Sequence, residues 1–194
     1  MRTPLLLASA LLALPVSGFS LHAQGVVRPP ALPAPNRANP ADVTSIDAIV
    51  KALYETVGFP PGGDQDSTRM RTLFAPGAHL IPPQSPQRPD SFLVWTVDEY
   101  LRVIRAAMQV NPNLKSRGFS EREVARRTER FGNLVHLFST YESRYTAQDS
   151  VPFARGINSI QVMFHNNRWW VLNIAWDAER PGNPLPPEYL RSPD

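Results

Sequence analysis

Thr140, Glu142 and Arg144 recur at every second position, with His136 and Phe138 ahead of them in the same register. In an extended strand, alternate side chains share a face. A carboxylate placed beside a hydroxyl and a guanidinium can move a proton or orient a polar ligand. An ordinary ion pair between Arg144 and Glu121 on the neighbouring strand accounts for the same residues. Histidine titrates near neutrality, which makes His136 a candidate general base, although facing Glu129 near a turn it also fits a surface pair. Arg155 precedes Gly156, where another backbone or a ligand can come close. It can hold a carboxylate, or pair with Glu142 or Asp177. Asn158, Asn173 and Asp177 supply further polar groups, and with the preceding residues they make up the expected ligand-binding set.

Other chemistries lack their residues. There is no cysteine, which removes disulfides, thiol nucleophiles and thiolate metal sites. No His-x-x-x-His or Glu-x-x-His pair is present, and no metal or other cofactor is expected. A Gly-x-Ser-x-Gly elbow is also missing.

These candidates sit on strands. Glu121–Arg130 and Leu134–Tyr145 alternate on either side of Phe131-Gly132-Asn133, and Pro152–His165 and Arg168–Asp177 flank Asn166-Asn167. Short Gly and Asn links between alternating runs signal hairpins. The second half is therefore expected to be a four-stranded antiparallel meander. Pairing across Asn166-Asn167 sets Trp169 against Phe164, Asn173 against Ile160 and Ala175 against Asn158. That face grades from apolar to polar and is the expected pocket lining. The opposite face is also apolar, through Trp170, Met163, Leu172, Ile174 and Trp176, which suggests a second copy of the chain packed there.

Helices are expected first. Asp42 to Ser45 can cap one over about 43–57, with Ile46, Ile49, Val50, Leu53, Tyr54 and Val57 on its apolar face. Asp66 or Ser67 can start a shorter one ending near Phe74, before a short strand at 78–81. Thr96 with Glu99 forms a capping box for a third, stopped at Asn111-Pro112. This order gives an α+β fold with about three N-terminal helices on a curved sheet.

The ends differ in composition. Arg2, the apolar run from Leu5 to Val16 and small residues up to Ala23 have the layout of a secretory signal peptide over 1–23. Prolines 29, 30, 33, 35 and 40 mark 24–41 as an extended spacer. The compact region is placed at 42–180, and 181–194 is expected to be a loose proline-rich tail. A periplasmic or secreted location follows, with no membrane attachment after cleavage. Net charge is +3, but the arginines alternate with acids, notably Arg122, Arg126, Arg127 and Arg130 among Glu121, Glu123 and Glu129. No nucleic-acid partner is expected from that pattern.

The stretch from Arg71 to Ala78 resembles the second helix and first strand of nuclear transport factor 2-like (SnoaL-like) domains. Phe131 to Arg144 resembles the central hairpin of that superfamily, and Pro152–Gln161 with Arg168–Val171 its last one. The resemblance covers about 41–180. It implies a cone-shaped half-barrel with a pocket between sheet and helices, in a superfamily that includes isomerases, cyclases, dehydratases and non-catalytic members, commonly dimeric. Fold does not fix function. The expected function is an exported domain binding an apolar small molecule without turnover. The alternatives are an isomerase-, cyclase- or dehydratase-like enzyme on an apolar carbonyl or epoxide, and a protein-interaction module. A homodimer through the sheet is expected.

Overall fold

The computed structural model describes residues 37–84 and 89–192. The expected signal peptide and most of the spacer lie outside the described residues. The last spacer residues do not stay extended: Asn39 caps a helical turn, α1 (Pro40–Val43), and its side chain accepts from the Ala41 amide. Proline at the first helical position loses no intrahelical bond there, because that amide has no partner in any case.

Ser45 caps α2 (Ile46–Val57) and Asp66 caps α3 (Ser67–Leu73). Each side chain accepts an amide that the first helical turn leaves unpaired. The chain then passes directly into β1 (Phe74–Ile81). After β2 (Trp95–Thr96), the Thr96–Glu99 capping box opens α4 (Val97–Val110) as expected. Besides α1, a second helix was not foreseen. Asn111 ends α4 and at once caps α5 (Pro112–Arg117), accepting from the Asn113 and Leu114 amides. The Pro112 that stops one helix starts the next, a dual role invisible to a rule that treats proline as a breaker.

The strands β3 (Ser120–Phe131), β4 (Leu134–Arg144), β5 (Ala154–His165) and β6 (Arg168–Ala178) form the expected antiparallel meander. Asn166 and Asn167 both adopt positive φ, 50° and 59°, as a two-residue hairpin turn with the native twist requires. The sheet goes further than the meander: six strands in the order β2-β1-β6-β5-β4-β3, with β1 parallel to β6. The result is an open mixed sheet with helices on one face, an α+β architecture.

Helices α2 and α3 fill the inner face. Ile49, Leu53, Met70 and Leu73 meet Val135, Leu137, Ile160, Val162 and Val171, all buried. Each such side chain contributes about 1.5–3 kcal/mol of burial. Asp42, itself buried, takes two hydrogen bonds from Arg69 at 2.8 and 2.9 Å and so pins α1 to α3. No described helix is long and apolar enough to cross a membrane.

The tail is not loose. It turns at Arg180–Asn183, forms a 3₁₀ turn at Pro187–Tyr189 and lies on the outer face of the sheet. Thr140 donates to the Tyr189 carbonyl at 2.6 Å, Arg127 donates to the Glu188 carbonyl at 2.8 Å, and the Tyr189 ring meets Phe138 at 5.2 Å. Its prolines restrict the unfolded chain, so less entropy is lost when it docks.

Candidate functional site

Between α2, α4, α5 and the inner face of the sheet lies a cavity of about 330 Å³. That is room for one small organic molecule. Its walls are mostly apolar: Leu53 and Val57 from α2, Met70 from α3, Leu80 from β1, Ile104 and Ala107 from α4, with Phe119, Phe153, Ile174 and Trp176. The polar lining comes from Glu121, Ser143, Asn158, Asn111 and the hydroxyls of Tyr54, Tyr100, Tyr141 and Tyr145. Among the described residues, no Lys, Arg or His lines it.

A β-bulge delivers Glu121. Ala125 pairs with Thr140, but Glu123 pairs with Tyr141, leaving Val124 as the extra residue of β3. One extra residue turns everything beyond it to the other face. Glu121 and Glu123 thereby leave the outer face, where simple alternation places them, and face inward. An ion pair rewards the switch. Glu123 and Arg126 are three apart and would face opposite sides of a regular strand. With the bulge they share a side, and Arg126 grips both Glu123 oxygens at 2.8 and 2.6 Å while also reaching Asp47 on α2 at 2.7 Å.

Among the described residues Glu121 has no ionic partner. Burial pushes its carboxyl up to about 7, and donation from Ser143 and Asn158 only partly offsets this. The Ser143 hydroxyl donates to it at 2.9 Å. A carboxyl balanced near neutrality can both take and return a proton. Tyr54, Tyr100 and Tyr141 are held well above the usual phenol range, first by burial and then by the Glu121 charge, so they remain neutral donors. That charge reaches all three phenols. Tyr54 is engaged with Ser139 at 2.7 Å and with Asn158 at 3.1 Å. The Tyr141 hydroxyl has no hydrogen-bond partner among the described residues.

Of the expected ligand-binding set, Asn158 lines this cavity; His136, Thr140, Glu142, Arg144, Arg155, Asn173 and Asp177 do not. His136 bonds Ser159 at 2.8 Å on the outer face, with Glu129 at 3.9 Å. Thr140 is buried beneath the tail. Glu142 lies between Arg122 at 3.0 Å and Arg144 at 2.8 Å. Burial would raise its carboxyl, yet the two guanidinium groups hold it below the usual range. The expected pair between Arg144 and Glu121 is therefore replaced: Glu121 stands opposite Ser143, and Arg144 opposite Ser120. Arg155 pairs with Glu179 at 2.8 Å, and Asp177 with Arg180 at 2.6 Å.

The last hairpin also departs from the expected register. Val162 pairs with Val171 and Phe164 with Trp169 as expected, but a second bulge at Leu172 then sets Ile160 against Ile174 and Asn158 against Trp176. Asn173 stands instead in the row with His79 and Gln161. The cavity face of this hairpin thus carries Asn158, Ile174 and Trp176. Sequence reasoning missed Glu121, Tyr141 and Ser143. One signal pointed to the latter two: Val135, Leu137, Ser139, Tyr141 and Ser143 form the charge-free face of β4, and an uncharged face is the one that goes inside.

No family model matches this chain, and no curated protein does. It is similar to an NTF2-like protein of unknown function from Silicibacter pomeroyi, with 13% identity over 69% of this chain and 92% of that one and a TM-score of 0.46. An NTF2-like protein of unknown function from Shewanella baltica gives 16% identity, 69% and 93% coverage and a TM-score of 0.45. A ketosteroid isomerase-like protein from Parabacteroides distasonis gives 15%, 75% and 97%, and 0.44.

Proposed function

We propose that the inner cavity binds one apolar small molecule carrying a carbonyl group, and that Glu121 transfers a proton on it, as in an isomerase-, cyclase- or dehydratase-type reaction. The observation that carries this reading is a carboxyl with no ionic partner among the described residues, in the wall of an apolar cavity that Tyr141, its hydroxyl unengaged, also lines. The ionised Glu121 would take a proton from the carbon next to the carbonyl. The electron pair left behind moves onto the carbonyl oxygen, where a hydrogen bond from Tyr141 meets the developing charge. Protonated Glu121 then returns its proton to another carbon, or to a departing hydroxyl as water. The apolar walls exclude bulk water and strengthen both interactions. A cavity without cationic groups suits a neutral substrate better than an anionic one. Export, with residues 1–23 removed, belongs to the same proposal, and N-terminal sequencing of the secreted or periplasmic protein checks it.

The test is hydrogen exchange on a panel of apolar cyclic ketones in D₂O, followed by mass spectrometry, with binding read in parallel from tryptophan fluorescence. Deuterium uptake with the native chain, lost in Glu121→Gln while binding persists, supports proton transfer. Binding without uptake reduces the domain to a carrier. No binding of any panel member overturns the reading.

A further inference from the structure

A second cavity, of about 430 Å³, lies on the outer face of the sheet beneath the tail. Phe138, Ile157 and Ala175 line it from the strands, and Leu185, Pro186 and Tyr189 from the tail. Its two carboxylates, Asp177 and Glu179, are engaged with Arg180 and Arg155. Among the described residues, no Lys, Arg or His lines it. Its wall includes Ser159 of β5, a serine for which the inner cavity has no use.

His136 Nε2 lies 2.8 Å from the Ser159 Oγ, and His136 Nδ1 lies 3.9 Å from a Glu129 carboxylate oxygen. Nucleophile, base and orienting carboxylate thus follow one another across the adjacent strands β5, β4 and β3. Such a constellation is recognised by its geometry, whatever the sequence motif around the serine. Sheet register supplies it here: Glu129 stands opposite His136, and Ser159 opposite Phe138, which puts the serine diagonal to the histidine. With a carboxylate facing Nδ1, the imidazole proton belongs on Nδ1, and Nε2 is left to accept from the serine. The Glu129 side chain is 87% exposed and can turn to close the longer gap. Catalytic hydrogen bonds are often long until a substrate is bound. The imidazole is steadied from the side: its ring packs on Phe138 at 5.8 Å, and Phe138 packs on Tyr189 of the tail at 5.2 Å.

We infer that Ser159, His136 and Glu129 form a second catalytic site, which hydrolyses small neutral esters whose apolar acyl group lies in the outer cavity. Ser159 Oγ attacks the ester carbonyl carbon while its proton passes to His136 Nε2. The carbonyl electron pair moves onto oxygen, and Gln161, opposite His136 on the same face, has a side-chain amide to donate to it. Collapse restores the carbonyl and breaks the bond to the alkoxy oxygen, which takes the proton from His136 and leaves as the alcohol. Water then attacks the acyl carbon and gives a proton to His136. The carboxylic acid departs as Ser159 recovers that proton. Ser159 and His136 are catalytic residues, and Glu129 is a positioning residue that fixes the imidazole tautomer. A wall without cations selects against esters that carry an acid group. The site does not involve Glu121, so it stands or falls independently of the inner cavity.

The test treats the native chain with a fluorophosphonate, which reacts with an activated serine and not with an ordinary hydroxyl, and with p-nitrophenyl acetate, butyrate and hexanoate. Peptide mass spectrometry should place the phosphonyl group on Ser159, and His136→Gln should abolish the label. Ester hydrolysis should fall about 10²–10⁴-fold in Ser159→Ala and in His136→Gln. KM should fall from acetate to butyrate as the acyl chain fills the cavity. Glu129→Gln should lower kcat and leave KM unchanged, a split that a merely structural role would not produce. No label on Ser159, a label that survives His136→Gln, or hydrolysis unchanged in Ser159→Ala overturns the inference. Labelling of the native chain decides the matter even where a variant fails to fold.

Discussion

Glu121 and Ser143 stand directly opposite each other on β3 and β4, and the Ser143 hydroxyl donates to the Glu121 carboxylate at 2.9 Å. That bond is too little for a carboxyl in so apolar a place, and burial carries Glu121 from 4.5 up to about 7. Folding is thereby linked to pH. Between those values the folded chain holds a proton that the unfolded chain has released, so stability falls as pH rises through that window. Below it both states are protonated and nothing is lost. Glu121→Gln removes the penalty and keeps an acceptor for Ser143. The variant should gain up to about 3 kcal/mol over the native chain at pH 8 and nothing at pH 4. Urea denaturation at the two pH values measures the difference.

Much of the frame was legible because it rests on local signals. The Ser45, Asp66 and Thr96 caps, the Asn166-Asn167 turn and the long alternating runs each announce themselves within a few residues. The site was not legible, for a reason as local as one residue. Without the extra Val124, counting back from Ala125 leaves Glu121 and Glu123 outside, and with it they turn in. The extra residue in β6 at Leu172 moves Asn173 out of the expected row in the same way. Period-two reasoning carries no information about bulges, and every side chain beyond one is assigned to the wrong face. Charge offered a partial remedy. Glu142 and Arg144 attracted attention as chemistry, yet charged residues on alternate positions mark the wet face more often than the site.

Gly156 is fixed by what surrounds it. A Cβ there would lie 2.5 Å from the Tyr141 hydroxyl and 2.2 Å from the Asp177 carbonyl. The second contact is backbone and cannot swing aside. Gly156→Ala should therefore destabilise the fold by about 1–3 kcal/mol, as overpacking does, and should push Tyr141 out of its place in the cavity wall. Thermal unfolding reads the first effect. Lost binding of a ketone that the native chain holds reads the second.

Truncation after Asn183 tests the tail. The Thr140 hydroxyl would lose the Tyr189 carbonyl beneath which it is buried, and Phe138 would lose the tilted Tyr189 ring that packs on it. Water takes the place of that carbonyl, so the lost hydrogen bond costs about 0.5–1.5 kcal/mol, and the exposed ring adds to that. A fall in stability, with an increase in binding of a hydrophobic dye, is the expected result. Unchanged stability would mean that the tail contacts contribute nothing in solution.

The tail also restricts where a second copy could sit. It covers the outer face around Phe138 and Thr140 but leaves the hairpin end open, where Phe131 is 88% exposed, Leu134 45% and Met163 37%. Leu134 pairs with both Phe131 and Met163, and Met163 with Trp170, so these side chains form one row across four strands. A row of that kind on a sheet face is a surface that association would bury. If the chain is the homodimer expected from its two-sided apolar strands, contact must centre on this row and not on the half beneath the tail. Sedimentation equilibrium should then give twice the chain mass, and Leu134→Arg should return the monomer with its thermal stability unchanged. A native chain that sediments as a monomer at all concentrations would leave the row as ordinary exposed surface.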